Sequence, residues 1–216
     1  MKVDYKKTVD LLLNEAGISS NEIYDFTDTP GEEEFRNNLD FCQEALERHK
    51  NYGIVPSTFY YRDNNSIDAR AKKKNGHYLV GLNKGLLEFF DRCFITVFTL
   101  SDIDEANKYV EIENKIPDSI GVLMYQVTIH FTFYHELGHL IQFVEREEIE
   151  NDESLAEETN FSLVTHSEEL DADIFSSICV STHIYQYFEK HANFKSYNKV
   201  ECSSFLYITP KSHFLI

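Results

Sequence analysis

Two histidines and a glutamate are spaced so that they could hold a metal ion and activate a water molecule. His135 and His139 are four positions apart in a stretch that we expect to be helical, so both side chains lie on one helix face. Glu136 is rotated from that face by about 100° and could reach a water bound to the same ion. This H-E-x-x-H pattern fixes only three positions and arises often by chance. It therefore needs a third ligand from elsewhere in the chain.

A downstream pair of carboxylates could supply that ligand. Glu169 and Asp173 are also four apart on a predicted helix, so Glu169 can bind the metal while Asp173 accepts a hydrogen bond from a ligand histidine. Ala172 is small enough for the two helices to approach. Glu168 is the main rival of Glu169 as third ligand. Two histidines and one carboxylate suit Zn²⁺ best, although iron, manganese or nickel could also occupy such a site.

The residues around the histidines predict a helix that is embedded in a core. They are uncharged: Thr132, Phe133, Leu137, Gly138, Leu140 and Ile141. Gly138 costs a helix about 1 kcal/mol relative to Ala, so its presence favours close packing at this point. The charge-free stretch 119–135 contains several polar residues and is shorter than the roughly 20 residues that a membrane span needs. We therefore predict no membrane span.

The elements that must position these residues can be followed along the chain. Residues 1–55 predict two amphipathic helices, Asp4–Ala16 and a second from Pro30, and residues 56–100 predict a sheet followed by a helix capped by Asn83. The predicted strands are Thr58–Tyr61, Ile67–Ala71 and His77–Leu82, with Asn75-Gly76 as a hairpin turn. A helix is expected over 103–112, and the metal-site helices fall in 117–190, the second starting near Ser167. We predict one α+β domain over 1–216, mostly helical, with a small antiparallel sheet beside the H-E-x-x-H helix.

The composition and charge of this 216-residue chain indicate which classes of partner and which cellular compartment suit it. Its formal net charge of -17 disfavours nucleic acid, because the phosphate backbone would repel it. The four cysteines form no C-x-x-C pair and the start carries no secretory signal, so we predict reduced thiols and a cytoplasmic protein. An acidic run over 145–158 predicts a solvated segment or, less simply, an electrostatic funnel for a basic substrate. The segment 203–216 is apolar enough to be packed.

The paired motifs resemble those of a known enzyme family. H-E-x-x-H at 135–139 followed by E-x-x-A-D at 169–173 resembles the gluzincin metallopeptidases, and the segment 169–175 is similar to that of Lit-like phage-exclusion peptidases. The resemblance implies a zincin-like fold with His135, His139 and Glu169 as zinc ligands, Glu136 as catalytic base, and Asp173 as the partner of a ligand histidine. Upstream, Asp68-Ala69-Arg70-Ala71 and the following hairpin resemble the N-A-x-A strand of several gluzincins, with Asp68 in place of Asn. In those families this edge strand pairs with the substrate backbone.

The chemistry implied is hydrolysis of a peptide bond in a protein or peptide substrate. Zinc would lower the pKa of its water, and Glu136 would take the proton and pass it to the leaving amine. His166, His183 and Tyr185 are candidates for an additional oxyanion donor, and His166 is our choice because it lies near Glu169. His130 lies off the metal face and is expected to be a packed core histidine. The alternative function is a catalytically inactive zincin-fold module for regulation or protein interaction.

Overall fold

The computed structural model describes residues 2–98, 120–150 and 163–191. Within these residues the helices are α1 (Tyr5–Asn14), α2 (Glu32–Arg48), α3 (Lys84–Phe98), α4 (Ile120–Glu150) and α5 (Leu163–His191). The strands are β1 (Ser57–Arg62), β2 (Ala69–Lys74) and β3 (His77–Asn83), and two short 3-10 turns cover Ser20–Glu22 and Lys50–Tyr52. The predicted α+β class, mostly helical with one small sheet, is confirmed.

The three strands form a mixed sheet in the order β1-β3-β2. β2 and β3 are antiparallel and joined by Asn75-Gly76, whose φ angles of 48° and 78° suit the tight turn predicted there. β1 is parallel to β3, so the sheet is not antiparallel throughout. The loop after β1 carries the chain to the far edge, where β2 forms. The hairpin then returns β3 to the middle, and β3 must run in the direction of β1.

The front face of this sheet supports the helix that carries the two histidines. On β1, the ring of Phe59 meets that of Phe133 from α4 at 5.9 Å between centroids, and the hydroxyl of Tyr61 donates to the Phe35 carbonyl of α2. α4 buries Phe133, Tyr134, Leu137 and Leu140 almost completely. The predicted embedding of this helix is therefore confirmed.

The two edges of the sheet differ. Gln43 of α2 covers β1, because its side-chain amide donates to the Ser57 carbonyl and its oxygen accepts from the Phe59 N–H. No strand among the described residues pairs with the outer edge of β2. The Asn83 N–H donates to the Asp68 carbonyl, so the backbone of Asp68 points toward β3. Because inward and outward backbone groups alternate along an antiparallel strand, those of Ala69 and Ala71 point outward, away from β3.

The chain divides into two compact units. The first holds the described residues of 1–88 and 132–176, and the second holds those of 89–131 and 177–216. The single domain predicted for 1–216 stays a prediction. Among the described helices, none combines the length and apolar character that crossing a bilayer requires.

Several boundaries differ from the sequence predictions. α5 begins at Leu163 rather than near Ser167, so His166 lies in a helix rather than a loop. The Asn83 amide donates to the Ser66 hydroxyl and its oxygen has no partner, so this side chain does not cap α3. Among the cysteines that the structure describes, Cys42, Cys93 and Cys179 form no disulfide bond. The predicted helix at 103–112, most of the acidic run and the segment 203–216 lie outside the described residues.

Candidate metal centre

His135 and His139 face each other one turn apart on α4. Their ring centroids are 4.7 Å apart, and the rings are nearly perpendicular. The two Nε2 atoms are 3.0 Å apart. This is the arrangement that the four-residue spacing predicts for two nitrogens aimed at one point.

Glu169 of α5 completes the group. Its Oε2 lies 3.2 Å from Nε2 of His135, and its Oε1 lies 3.5 Å from Nε2 of His139. One ligand atom from each of the three residues lies within 4.8 Å of the others. The structure therefore brings together three predicted ligands closely enough to hold a metal ion.

A glycine and an alanine let the two helices meet at this level. A Cβ added to Gly138 would lie 3.1 Å from the Cα and 3.2 Å from the Cβ of Ala172. Either contact is tighter than side chains usually allow, so a larger residue at 138 would push α5 away. The small residues predicted to permit a close approach are in direct contact.

The outer nitrogen of each histidine has its own hydrogen-bond acceptor. Nδ1 of His135 lies 2.9 Å from Oδ1 of Asp173, and Nδ1 of His139 lies 2.9 Å from Oε1 of Gln142. When Nδ1 carries the proton and donates, the lone pair of Nε2 is left for a metal. Asp173 takes the position expected from the sequence, although only the structure identifies Gln142 as the partner of His139.

Glu168, the rival ligand, is engaged elsewhere. Its carboxylate pairs with the Arg146 guanidinium, and its backbone carbonyl accepts a hydrogen bond of 2.8 Å from the Gln142 side-chain amide. Both contacts join α5 to α4. The choice between adjacent glutamates is therefore decided by Arg146 and Gln142, two residues that the sequence analysis did not single out.

Glu136 is buried beside the three ligands and touches the sheet. It is 9% exposed, and its carboxylate accepts a hydrogen bond from the Ala71 N–H at the outer edge of β2. Burial raises the pKa of Glu136, and the charge of Asp68 acts in the same direction. His135, His139 and the Ala71 N–H oppose this rise. A carboxylate held in this way can accept a proton more readily than an exposed one.

The remaining histidine candidates and Tyr185 have different surroundings. His166 is exposed in the first turn of α5, and its role as an oxyanion donor stays a prediction. In the second unit, the ring of His183 lies 6.2 Å from that of His130, and the Tyr185 hydroxyl lies 3.3 Å from the Glu189 carboxylate. Burial and the neighbouring His183 lower the pKa of His130 to about 3. This favours the neutral ring expected of a packed histidine.

Gln142 and Arg146 were not predicted to support the site, because their positions in the sequence indicate this role only weakly. Gln142 is three positions after His139 and so shares its helix face, and Arg146 follows one turn later. Such i, i+3 and i, i+4 relations can be read from a sequence, but they do not say which polar side chain turns toward the histidine.

Comparisons with models of protein families, with curated proteins and with solved structures find no match to this chain. The likeness to gluzincins therefore rests on the two sequence motifs.

Proposed function

We propose that this chain is a zinc-dependent metallopeptidase of the gluzincin type. The observation that carries the proposal is the convergence of His135, His139 and Glu169 from two helices, with Glu136 buried beside them. A chance H-E-x-x-H would not require a third donor at coordinating distance. It would also not require an acceptor behind each histidine.

Zinc fits the donor set best. Two imidazole nitrogens and one carboxylate leave a fourth tetrahedral position for water, as in catalytic zinc sites. Bond lengths of about 2.0–2.1 Å would separate neighbouring ligand atoms by about 3.3–3.4 Å. The three separations here are 3.0, 3.2 and 3.5 Å, close to that value. Asp173 and Gln142 would hold both rings with Nε2 toward the ion.

The protein groups around this site suit acid–base catalysis. When bound, zinc would supply a water of lowered pKa. Glu136 would accept its proton and later return a proton to the leaving amine. The Ala71 N–H holds the carboxylate of Glu136 in place, and burial keeps its pKa raised, so the group is suited to both transfers. His166 is our proposed additional donor to the oxyanion.

The outer edge of β2 favours a peptide as the substrate. The outward-facing backbone groups lie beside Glu136, since Ala71 contributes to both the edge and the contact with that glutamate. Because the Ala71 N–H already donates to Glu136, an extended chain laid along β2 would bond to the Ala71 carbonyl and to the outward groups of Ala69. The added strand would place its own peptide bonds next to the catalytic carboxylate. A small hydrophilic substrate has no extended backbone and could not pair with this edge as a strand.

The test combines metal analysis with mapping of cleavage products. Purified protein should hold about one zinc per chain by plasma mass spectrometry. Incubated with peptides derived from a whole proteome, it should generate new N-termini that mass spectrometry identifies. Glu136→Gln should retain the zinc and lower the cleavage rate by about 10²- to 10⁴-fold. The amide oxygen can still accept from Ala71, so the fold should persist.

Glu145→Gln is the matched control, because it removes one carboxylate from an exposed position of the same helix. It should change neither zinc content nor cleavage. A protein that takes up no zinc would overturn the assignment. Zinc binding without any new N-termini would instead support the alternative, a catalytically inactive zincin-fold module.

A further inference from the structure

The back face of the edge strand β2 is basic in an otherwise acidic protein. Arg70, Lys72 and Lys74 alternate with Ala69, Ala71 and Lys73, so the first three point to the face opposite α4. The net charge of the whole chain is -17. A row of three cations on one strand therefore contrasts with the rest of the molecule.

Two of these cations already have partners. Lys72 Nζ lies 3.5 Å from the Glu22 carboxylate and 6.0 Å from the centre of the Tyr60 ring. Lys74 Nζ donates to the Gly17 carbonyl at 2.6 Å, and its charge also acts on the Glu22 carboxylate.

Arg70 differs from both. It is exposed, and it forms no ion pair with any of the described residues. Its cross-strand neighbour on β3 is Gly81, above which the side chains of Arg62 and Tyr60 lie, and neither of these carries a negative charge. Arg70 also lies one residue from Ala71, whose N–H binds the catalytic glutamate. The uncompensated guanidinium is thus at the position where a substrate strand would pass.

We propose that the substrate segment lying along β2 carries acidic side chains at alternate positions, which pair with Arg70 and Lys72. This inference rests on the proposed function and names its substrate class. In an added strand, the residue opposite Arg70 points to the same face as Arg70, with Cβ atoms about 4.5–5.5 Å apart. Two positions along the added strand, the residue opposite Lys72 likewise points to the same face as Lys72.

The substrate side chains between the acidic ones would point to the front face of the sheet, and these should be uncharged. There the side chains of a substrate strand would lie beside Glu136 and Glu169, where carboxylates would be repelled. Ala69 and Ala71 present only methyl groups on this face, which leaves room there for an uncharged side chain, and Lys73 follows two positions along. The pattern recognised is therefore acidic on the back face and uncharged on the front.

The test uses two fluorescein-labelled decapeptides of identical composition and charge. One alternates Asp and Val, and the other has five Asp followed by five Val. Fluorescence anisotropy measures their binding to the full chain carrying Glu136→Gln and loaded with zinc. The alternating peptide should bind about fivefold or more tightly than the block peptide, because only the alternating one can place acids opposite Arg70 and Lys72 without also placing an acid on the front face. Its affinity should fall as salt is raised.

Arg70→Glu should weaken binding of the alternating peptide by about five- to tenfold and largely remove its advantage over the block peptide. Arg70→Lys should restore most of the affinity. Arg48→Glu is the matched control, since it makes the same charge change on α2, where Arg48 is 4.0 Å from Glu44. It should leave the difference between the two peptides unchanged.

The inference is overturned if the two peptides bind equally, if neither binds, or if Arg70→Glu and Arg48→Glu have the same effect. Failure of the proposed function would look different, because zinc content and new N-termini are measured separately. A chain that holds zinc and cleaves peptides without responding to Arg70→Glu contradicts only this inference. Arg70-dependent binding without zinc or cleavage contradicts only the peptidase.

Discussion

Two pairs of histidines in this protein have opposite surroundings. His135 and His139 lie among carboxylates, with Glu169 and Asp173 within 3.5 Å of a ring nitrogen. His130 and His183 face each other in the second unit, and among the described residues they belong to no group that could hold a metal. Burial lowers the pKa of His130 to about 3. The comparison teaches that a histidine pair becomes a candidate metal centre when a carboxylate joins it and acceptors orient its rings.

The largest expected effect comes from removing the carboxylate that joins the first pair. Glu169→Gln should lower zinc affinity by more than the roughly 10- to 100-fold that loss of a ligand's hydrogen-bond partner costs. Competition with a chelator measures this. Glu168→Gln breaks the pair with Arg146 but should leave zinc bound, and His183→Gln should have no effect. Equal losses in Glu168→Gln and Glu169→Gln would mean that the third ligand is wrongly assigned.

A smaller effect should follow from changing the acceptors behind the rings. Asp173→Asn should lower zinc affinity by about 10- to 100-fold, because the neutral amide no longer raises the basicity of His135. Gln142→Ala should fall at the lower end of that range, since Gln142 is already neutral. Asp171→Asn, exposed on the same helix, serves as the control. If Asp173→Asn and Asp171→Asn behave alike, the hydrogen bond to His135 does not tune the site.

The smallest effect concerns the second pair and depends on pH. The pKa of His130 is lowered from 6.5 to about 3 in the folded chain, so between these values the unfolded chain binds the extra proton. Stability should be unaffected above pH 6.5 and should fall as pH decreases below it, by at most about 1.4 kcal/mol per pH unit. Chemical denaturation at several pH values checks this. His130→Gln should flatten the dependence, whereas an unchanged slope would show that other groups cause it.

Much of the site could be predicted from the sequence because it depends on helical periodicity. The spacing of His135 and His139, and of Glu169 and Asp173, places each pair on one face whatever the rest of the fold does. The uncharged residues around Gly138 predicted a buried helix, and Asn75-Gly76 predicted the hairpin. These are local properties, so local patterns predict them.

Other features depend on which elements meet, and the sequence did not predict them. The parallel pairing of β1 with β3 follows from where the hairpin inserts, which local alternation does not encode. Asn83 was expected to cap α3, but Ser66 approaches its amide from the preceding loop. The start of α5 at Leu163 places His166 in a helix, since the helix continues upstream of the predicted start near Ser167.

The sequence by itself determined the donor atoms, because residue type and a four-residue spacing fix which side chains share a face. Only the tertiary structure decided that Glu169 rather than Glu168 faces the histidines, since Arg146 binds the adjacent carboxylate. It also decided that Gln142 supports His139 and that the Ala71 N–H holds Glu136. These contacts join residues from different elements. They arise when Gly138 and Ala172 bring the two helices together and when the sheet edge lies against α4.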